Sequence, residues 1–531
     1  MGLGIKKPAD EPGAAWPAIC LGLFVAFGGV LFGYDTGTIS GILAMPYWIQ
    51  EFRTEGNEGI TPAQDSLIVS ILSAGTFFGA LTAAPVADWI GRRWGLIFSC
   101  GIVFNLGVIL QTISTDQPLL IAGRFFAGFG VGLLSAMVPL YQSETAPKWI
   151  RGTIVGAYQL AITIGLFLAA IVNYSTKDRN DSGSYRIPIA VQFAWSIIIV
   201  VGMLLLPETP RFLIKQDKHE QAAAALAKIR RLPADHPAII QELAEVQANH
   251  NFEMSLGSAS YIDCFKGTIG KRLATGCALQ GLQQLSGVNF IFYYGTQYFE
   301  NAGFTAGGFT IQVITNVVNV VSTLPGLYLV EKMGRRGLLL MGAIGMCAAQ
   351  FIVAITGTAS AADNIAAQRA AIAFVCIYIF FFACSWGPVA WVVTGELFPL
   401  KVRAKCLSMT TATNWLLNFA IAYATPYMVN EEYANLQSRV FFIWGSFCFV
   451  CIAFVWFMIY ETKGLSLEEV DELYGRVSKA WQSTKFVPEI SFMDADEMQK
   501  KGGRNMSITD VAEQTQRKKS VSHVEAEKPL A

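Results

Sequence analysis

Residues 280–294 read QGLQQLSGVNFIFYY, a polar island between "LATGCAL" and "GTQYF". Each side-chain amide of Gln280, Gln283, Gln284 and Asn289 offers two donors and one acceptor, the mixed character that binding a neutral, hydroxyl-rich ligand requires. The same groups could instead tie neighbouring helices together. At 100° per residue Gln280, Gln283, Gln284, Gly287 and Tyr294 share one face of a helix, and Asn289 falls on the other. For all of them to address one cavity, the helix must unwind or shift phase near Ser286 and Gly287.

Two charges stand inside otherwise apolar stretches: Asp35 in "FGYDTGTISG" and Arg124 in "AGRFFAG". Charges at such positions are costly and usually paired. Burial and a neighbouring cation act on a carboxyl in opposite directions, so a cavity that opens and closes could load and release a proton. A permanent structural pair is the alternative. The inventory offers little else for chemistry. All four histidines (219, 236, 250 and 523) lie in the central connection or the tail, and most of the ten cysteines lie in or at the ends of apolar runs. No metal cluster, nucleophile–base pair or phosphate loop is visible, and no cofactor is implied. The chain reads as a non-enzyme.

These residues need elements to position them. With 53% hydrophobic and 15% charged residues and zero net charge, the composition is that of a membrane protein and gives no footing to nucleic acid. Twelve apolar runs are long enough to cross about 30 Å of hydrocarbon. They fall near 16–35, 64–86, 94–114, 118–140, 152–173, 187–206, 271–299, 309–330, 337–357, 369–394, 406–428 and 439–460. Lys and Arg crowd alternate connections, whereas the opposite loops carry only Arg53, Lys177, Arg179, Arg186, Arg369 and Arg439. By the positive-inside rule both termini are cytoplasmic. No cleavable leader precedes the first span, which is expected to serve as its own insertion signal.

The charged connections repeat. "DWIGRR" (88–93) returns as "EKMGRR" (331–336), "ETAPKWIR" (144–151) as "ELFPLKVR" (396–403), and "PETPR" (207–211) more weakly as "YETKG" (460–464). Two homologous six-helix halves explain this. The expected layout is an N-terminal tail (1–15), a first half (16–206), a cytoplasmic linker with short helices (207–269), a second half (270–462) and a C-terminal tail (463–531) disordered beyond about 480.

With "GRFFAGFGVG" (123–132), "PLYQSETAPKWIRG" (139–152), "PETPR", the QQLSGVN segment and "TKG" after the last span, the chain resembles the sugar porter family of the major facilitator superfamily, and most of all the fungal hexose transporters. The resemblance implies an all-α membrane fold of twelve helices in two pseudo-symmetric halves. It implies that Gln159, Gln283, Gln284, Asn289, Asn319, Trp391 and Trp415 bind sugar, that Gln280, Phe382 and Asn414 line the pocket, and that Tyr293 and Tyr294 form an outer gate. Ala383 stands where animal glucose facilitators carry a pocket-facing Glu. Glu144, Arg151, Arg93 and Glu208 in the first half, and Glu396, Arg403, Arg336 and Glu461 in the second, would pair across helix ends when the cytoplasmic side is shut. Tyr460 replaces the Pro that the family commonly has before Glu461.

Proton-coupled members carry Asp and Arg at the positions of Asp35 and Arg124, which points to sugar/proton symport; several fungal facilitators also keep the Asp, so a uniporter stays open. A transport-poor sugar sensor is a further alternative, although such relatives usually have longer tails. Trp391 has its own physical case, since an indole face stacks on the C–H side of a pyranose, and Gly387 and Pro388 before it suggest a hinge. The expected partners are a monosaccharide (glucose and related hexoses, with xylose a further candidate), a proton and the plasma-membrane bilayer, with the monomer as functional unit. Asn180 in "NDS" is the candidate glycan acceptor; Asn173 in "NYS" lies too close to the bilayer.

Overall fold

A computed structural model describes residues 13–486 except 15, 54–58, 148–149, 256–259, 302–306, 360–363, 400–401, 431 and 466. Among these residues the regular structure is helical throughout. Ten helices are long and apolar enough to cross a membrane. In chain order they are α1 (Trp16–Ile42), α2 (Pro62–Ile90), α3 (Arg92–Ile113), α4 (Gln117–Thr145), α5 (Arg151–Thr176), α6 (Gly183–Leu205), α8 (Gly308–Met333), α9 (Arg335–Ala359), α10 (Ile365–Glu396) and α12 (Gln437–Met458). The two helices that complete the series are the ones whose polar residues dilute their hydropathy: α7, in two pieces, and α11 (Arg403–Val429).

The expected discontinuity is present. α7a (Gly267–Leu285) stops at Ser286, Gly287 takes φ +92°, and α7b starts at Val288 and runs to Asn301. A positive φ of this size is open to glycine and costly for a residue with a Cβ. α10 changes character as well: a π-helical turn spans Phe382–Trp386 just before Gly387 and Pro388. Such turns arise where a helix absorbs an extra residue and often mark functional sites.

Close helix approach explains the glycine-rich run in α4. A Cβ on Gly128 or Gly132 would run into the carbonyl of Leu72 or Thr76 in α2, and one on Gly75 into that of Phe125 in α4. Without a hydrophobic driving force between helices in lipid, small residues bring backbones into van der Waals contact. Between halves, α2 packs along α11 and α5 along α8. The linker forms helices Pro210–Lys215, His219–Arg230 and Pro237–Ser255. The described start of the tail is ordered: Leu467–Arg476 is helical, and a short 3-10 segment at Ala480–Lys485 follows. It is held because Asp471 pairs with Arg272, whose guanidinium also covers the Tyr474 ring, and the Ser483 hydroxyl takes the Glu461 N–H at 2.8 Å. The disorder expected beyond about 480 falls on residues 487–531, which lie outside the described residues.

Candidate functional site

A cavity lies where α1, α5, α7, α8, α10 and α11 converge, with about 60 Å³ open to the centre of a water-sized sphere, several times the roughly 10–15 Å³ that one water needs. The break in α7 builds one wall. α7a contributes Gln283 and Gln284, and α7b contributes Asn289 and Tyr293. Asn289 Nδ2 donates to the side-chain Oε1 of Gln284, a contact that the turn at Gly287 permits. The remaining amides interlock. Asn414 donates to Gln280 Oε1 at 2.7 Å and Gln283 Oε1 at 2.9 Å. Gln284 Nε2 donates to Gln283 Oε1 at 3.2 Å, and Gln283 Nε2 to the carbonyls of Trp386 at 2.9 Å and Gly387 at 3.2 Å. The π-helical turn in α10 ends at those carbonyls.

Facing this network, the Gln159 amide of α5, the Asn319 amide of α8 and the Trp391 indole N–H of α10 make no hydrogen bond with the described residues. Thr36 Oγ1 of α1 and Asn319 Oδ1 are buried without a partner. Buried polar groups are normally satisfied. Here the ones left over converge on a space bounded by Phe32, Phe382 and the Trp391 ring. Such an arrangement can satisfy alternating donors and acceptors on a compact neutral ligand.

Three expected residues are not on the cavity wall. Trp415 is fully buried, its indole N–H donating to Ser135 Oγ of α4 at 3.1 Å and its ring 5.0 Å from that of Phe32. Gln280 lies a layer below, between Asn414 and Thr394. Tyr294 turns to the Ala422 carbonyl at 2.7 Å, while Tyr293 lines the cavity and donates to Asn418 Oδ1 at 3.0 Å. Asn418 is a lining residue that sequence reasoning missed; it stands four residues after Asn414, one helical turn along the same face of α11.

Asp35 and Arg124 are buried, at 1% and 2% exposure, and attract one another, with Gln192 beside the carboxylate. Arg124 Nε donates to the Ile68 carbonyl at 2.6 Å. Neither Asp35 oxygen, nor Arg124 Nη2, meets a partner at hydrogen-bonding geometry. The pair sits within the first half, off the main cavity wall.

At the charged ends the repeat holds atom by atom. Arg92 binds Glu144 at 3.0 Å and Arg335 binds Glu396 at 2.7 Å. Glu208 accepts the N–H groups of Arg92 and Arg93, and Glu461 those of Arg335 and Arg336. Burial pushes the Glu208 carboxyl up, only partly offset by the N–H groups of Thr209 and Arg93 and by the Arg92 charge. Here the expectation is corrected: the first arginine of each Gly-Arg-Arg takes the carboxylate. The second, Arg93 or Arg336, donates its guanidinium to carbonyls of Met203 and Leu204, or of Trp456. The positive-φ glycine before each pair, Gly91 or Gly334, sets this direction. Arg403 donates to the Phe398 carbonyl at 2.9 Å, and Arg151, at the start of α5, is buried. One difference between the halves lies across the interface: Glu331 Oε1 crosses to the Thr153 N–H at 3.2 Å, whereas its counterpart Asp88 binds Lys215 at 2.9 Å.

Asn180 is exposed, whereas Asn173 is buried, its amide donating to the carbonyls of Gly37 and Thr38. Among the described residues no cluster of His, Cys, Asp and Glu could hold a metal ion.

Comparison with known proteins agrees with this architecture. Residues 21–474 match the model of the family described as "Sugar (and other) transporter". The chain is 65% identical over 504 residues to the "Major facilitator-type transporter ecdD" of Aspergillus rugulosus, covering 92% of this chain and 93% of that one. It is 53% identical over 506 residues to the "Probable glucose transporter rco-3" of Neurospora crassa, covering 93% and 85%. It is 43% identical over 480 residues to the "High glucose sensor RGT2" of Saccharomyces cerevisiae, covering 89% of this chain and 62% of the sensor. Among solved structures, the proton:xylose symporter XylE bound to 6-bromo-6-deoxy-D-glucose aligns with a TM-score of 0.77 at 26% identity, covering 87% of this chain and all of that one. On the sequence match, the fold and the repeated charged ends together, the chain belongs to the sugar transporter family of the major facilitator superfamily and is most like the fungal hexose transporters.

Proposed function

We propose that the chain carries glucose and related hexoses across the plasma membrane, with xylose a further candidate substrate, by rocking its two six-helix halves about the cavity, both termini cytoplasmic. The carrying observation is the set of unpartnered groups, Gln159, Asn319 and the Trp391 N–H, opposite the interlocked amides of α7a and α11. A pyranose supplies hydroxyls to both walls and a C–H face to Trp391. The paired arginines and glutamates at the helix ends would hold the cytoplasmic side shut: single exposed pairs contribute about 0–1 kcal/mol, but these are buried and networked, and a bias of a few kcal/mol is enough to shift a two-state carrier.

Transport is read as sugar/proton symport through Asp35 and Arg124. Support comes from two buried charges that attract without forming a closed ion pair; such a carboxylate is free to exchange its proton. The likeness to a protein named as a glucose sensor favours a second reading, binding without appreciable transport, but this chain matches only 62% of that longer protein. Adding sugar to unbuffered cells that express the chain and no other hexose transporter tests the proposal. Symport alkalinises the medium, and Asp35→Asn abolishes accumulation. Uptake without alkalinisation identifies a uniporter; binding without uptake identifies a sensor.

A further inference from the structure

At the end of the cavity away from the charged signatures, the described residues of the two halves meet through hydrogen bonds that are neutral with one exception. Ser40 Oγ of α1 donates to Gln312 Oε1 of α8 at 3.1 Å and lies 3.2 Å from Thr296 Oγ1 of α7b. Ser66 Oγ of α2 donates to the Tyr423 carbonyl of α11 at 2.8 Å, and Ser73 Oγ to Asn418 Oδ1 at 2.7 Å. The exception is Asp65 of α2, whose Oδ2 accepts from Gln297 Nε2 of α7b at 3.2 Å.

Asp65 is 6% exposed, and its Oδ1 has no hydrogen-bond partner. From α7b it faces Gln297 and, through space, the Tyr294 phenol; from α11 the Tyr423 carbonyl takes the hydroxyl of its neighbour Ser66; and from α4 the Arg124 guanidinium, bound to the Ile68 carbonyl three residues along α2, acts on the same Tyr294 phenol. Among the described residues no Lys, Arg or His forms an ion pair with it. A carboxylate in the first turn of a helix has an ordinary explanation, the field of the exposed N–H groups. That explanation is incomplete here. The start of α2 is already closed by a capping box between Thr61 and Gln64, and helix-end stabilisation calls for neither burial between halves nor a bond to Gln297.

We propose that Asp65 is a proton-sensitive contact of this seam, placed so that taking up a proton accompanies closure of the sugar site toward the outside. The proposal rests on the transport reading and adds a second titratable group to it, at the interface between halves; Asp35 and Arg124 lie within one half. When the seam parts, the carboxylate is solvated and ionised. When it closes, a charge would be shut between α2 and α7b with a single neutral donor, which is costly unless the charge is cancelled. The acid form carries no charge, and its O–H can donate to Gln297 Oε1 once that amide rotates. The proton comes from external water and returns there when the seam reopens. External acid therefore favours the closed seam.

A cross-link tests this without requiring any sugar to move. In a chain lacking the exposed Cys20, Ser40→Cys and Thr296→Cys place two thiols across the seam, and a protease site in the 207–269 connection separates the halves unless a disulfide joins them. The cross-linking rate is compared between this chain and the same chain with Asp65→Asn, at matched pH. The expected result is several-fold faster cross-linking with Asp65→Asn in neutral medium, falling to parity in acid, with Asp65→Glu restoring the pH dependence. A ratio that does not change with pH, or Asp65→Glu behaving as Asp65→Asn, overturns the proposal. Hexose counterflow on the same variants separates the two readings: pH-dependent cross-linking with no counterflow leaves Asp65 as assigned and refutes transport, whereas counterflow with a flat cross-linking ratio does the reverse.

Discussion

Gln159 and Gln283 both line the cavity, yet the structure gives them opposite consequences on removal. Gln159 makes no hydrogen bond with the described residues, so Gln159→Leu, nearly equal in volume, leaves the empty protein unharmed. In the loaded state it deletes one or two bonds to sugar hydroxyls, each contributing about 0.5–1.5 kcal/mol, which corresponds to roughly a two- to thirteen-fold weaker affinity per bond. Gln283 donates to two backbone carbonyls of α10 and accepts from Asn414 and Gln284. Gln283→Leu strands those partners at about 1–3 kcal/mol for each buried group left unsatisfied. The assay is paired: thermal unfolding of the purified protein without sugar, and the sugar concentration that half-saturates the thermal shift. Gln159→Leu should keep the unliganded melting temperature and lose affinity; Gln283→Leu should lose both. Wild-type affinity in Gln159→Leu, or equal destabilisation by the two changes, would refute the division between a binding wall and a structural wall.

Other expectations follow from the same geometry. Glu396→Gln removes one partner of a pair whose side chains are 8% and 3% exposed; the cost stays below the about 3–5 kcal/mol of a fully stranded buried charge, because Glu331 still pairs with Arg335 at 3.1 Å. Uptake should slow while sugar binding from the outer side persists, and loss of binding would show that the network shapes the pocket. Gly287→Ala forces a positive φ on a residue with a Cβ and brings that Cβ to 2.5 Å from the Trp444 ring, so the melting temperature should fall by the equivalent of about 1–3 kcal/mol for strain and a similar amount for overpacking. Any N-glycan gel shift should vanish in Asn180→Gln and survive in a variant altered only at the buried Asn173.

Much of the architecture is legible in the chain because lipid imposes it. Apolar length marks the spans, and charges at fixed spacing mark one set of their ends. The discontinuity in α7 is legible for a geometric reason: Asn289 cannot share a face with Gln280, Gln283 and Gln284 on one continuous helix. Direction within a motif is not legible. Gly-Arg-Arg offers two arginines, and only the backbone turn at Gly91 or Gly334 decides that the first meets the carboxylate. Trp391 and Trp415 look alike as aromatic candidates, but Trp415 is committed to Ser135 on a helix of the other half, a pairing without any local trace. Asn418 could have been found from its one-turn spacing to Asn414. The order around Ser483 depends on the Glu461 N–H, which no compositional reading of a polar tail supplies.

The most direct test of the account is counterflow of labelled glucose into vesicles that contain the purified chain and unlabelled sugar. The account predicts transient accumulation of label in vesicles with the unaltered chain, and its loss in a Gln159→Leu, Asn319→Leu double variant that still inserts and melts normally. Normal counterflow in that double variant would contradict the assignment of the cavity as the path of the sugar.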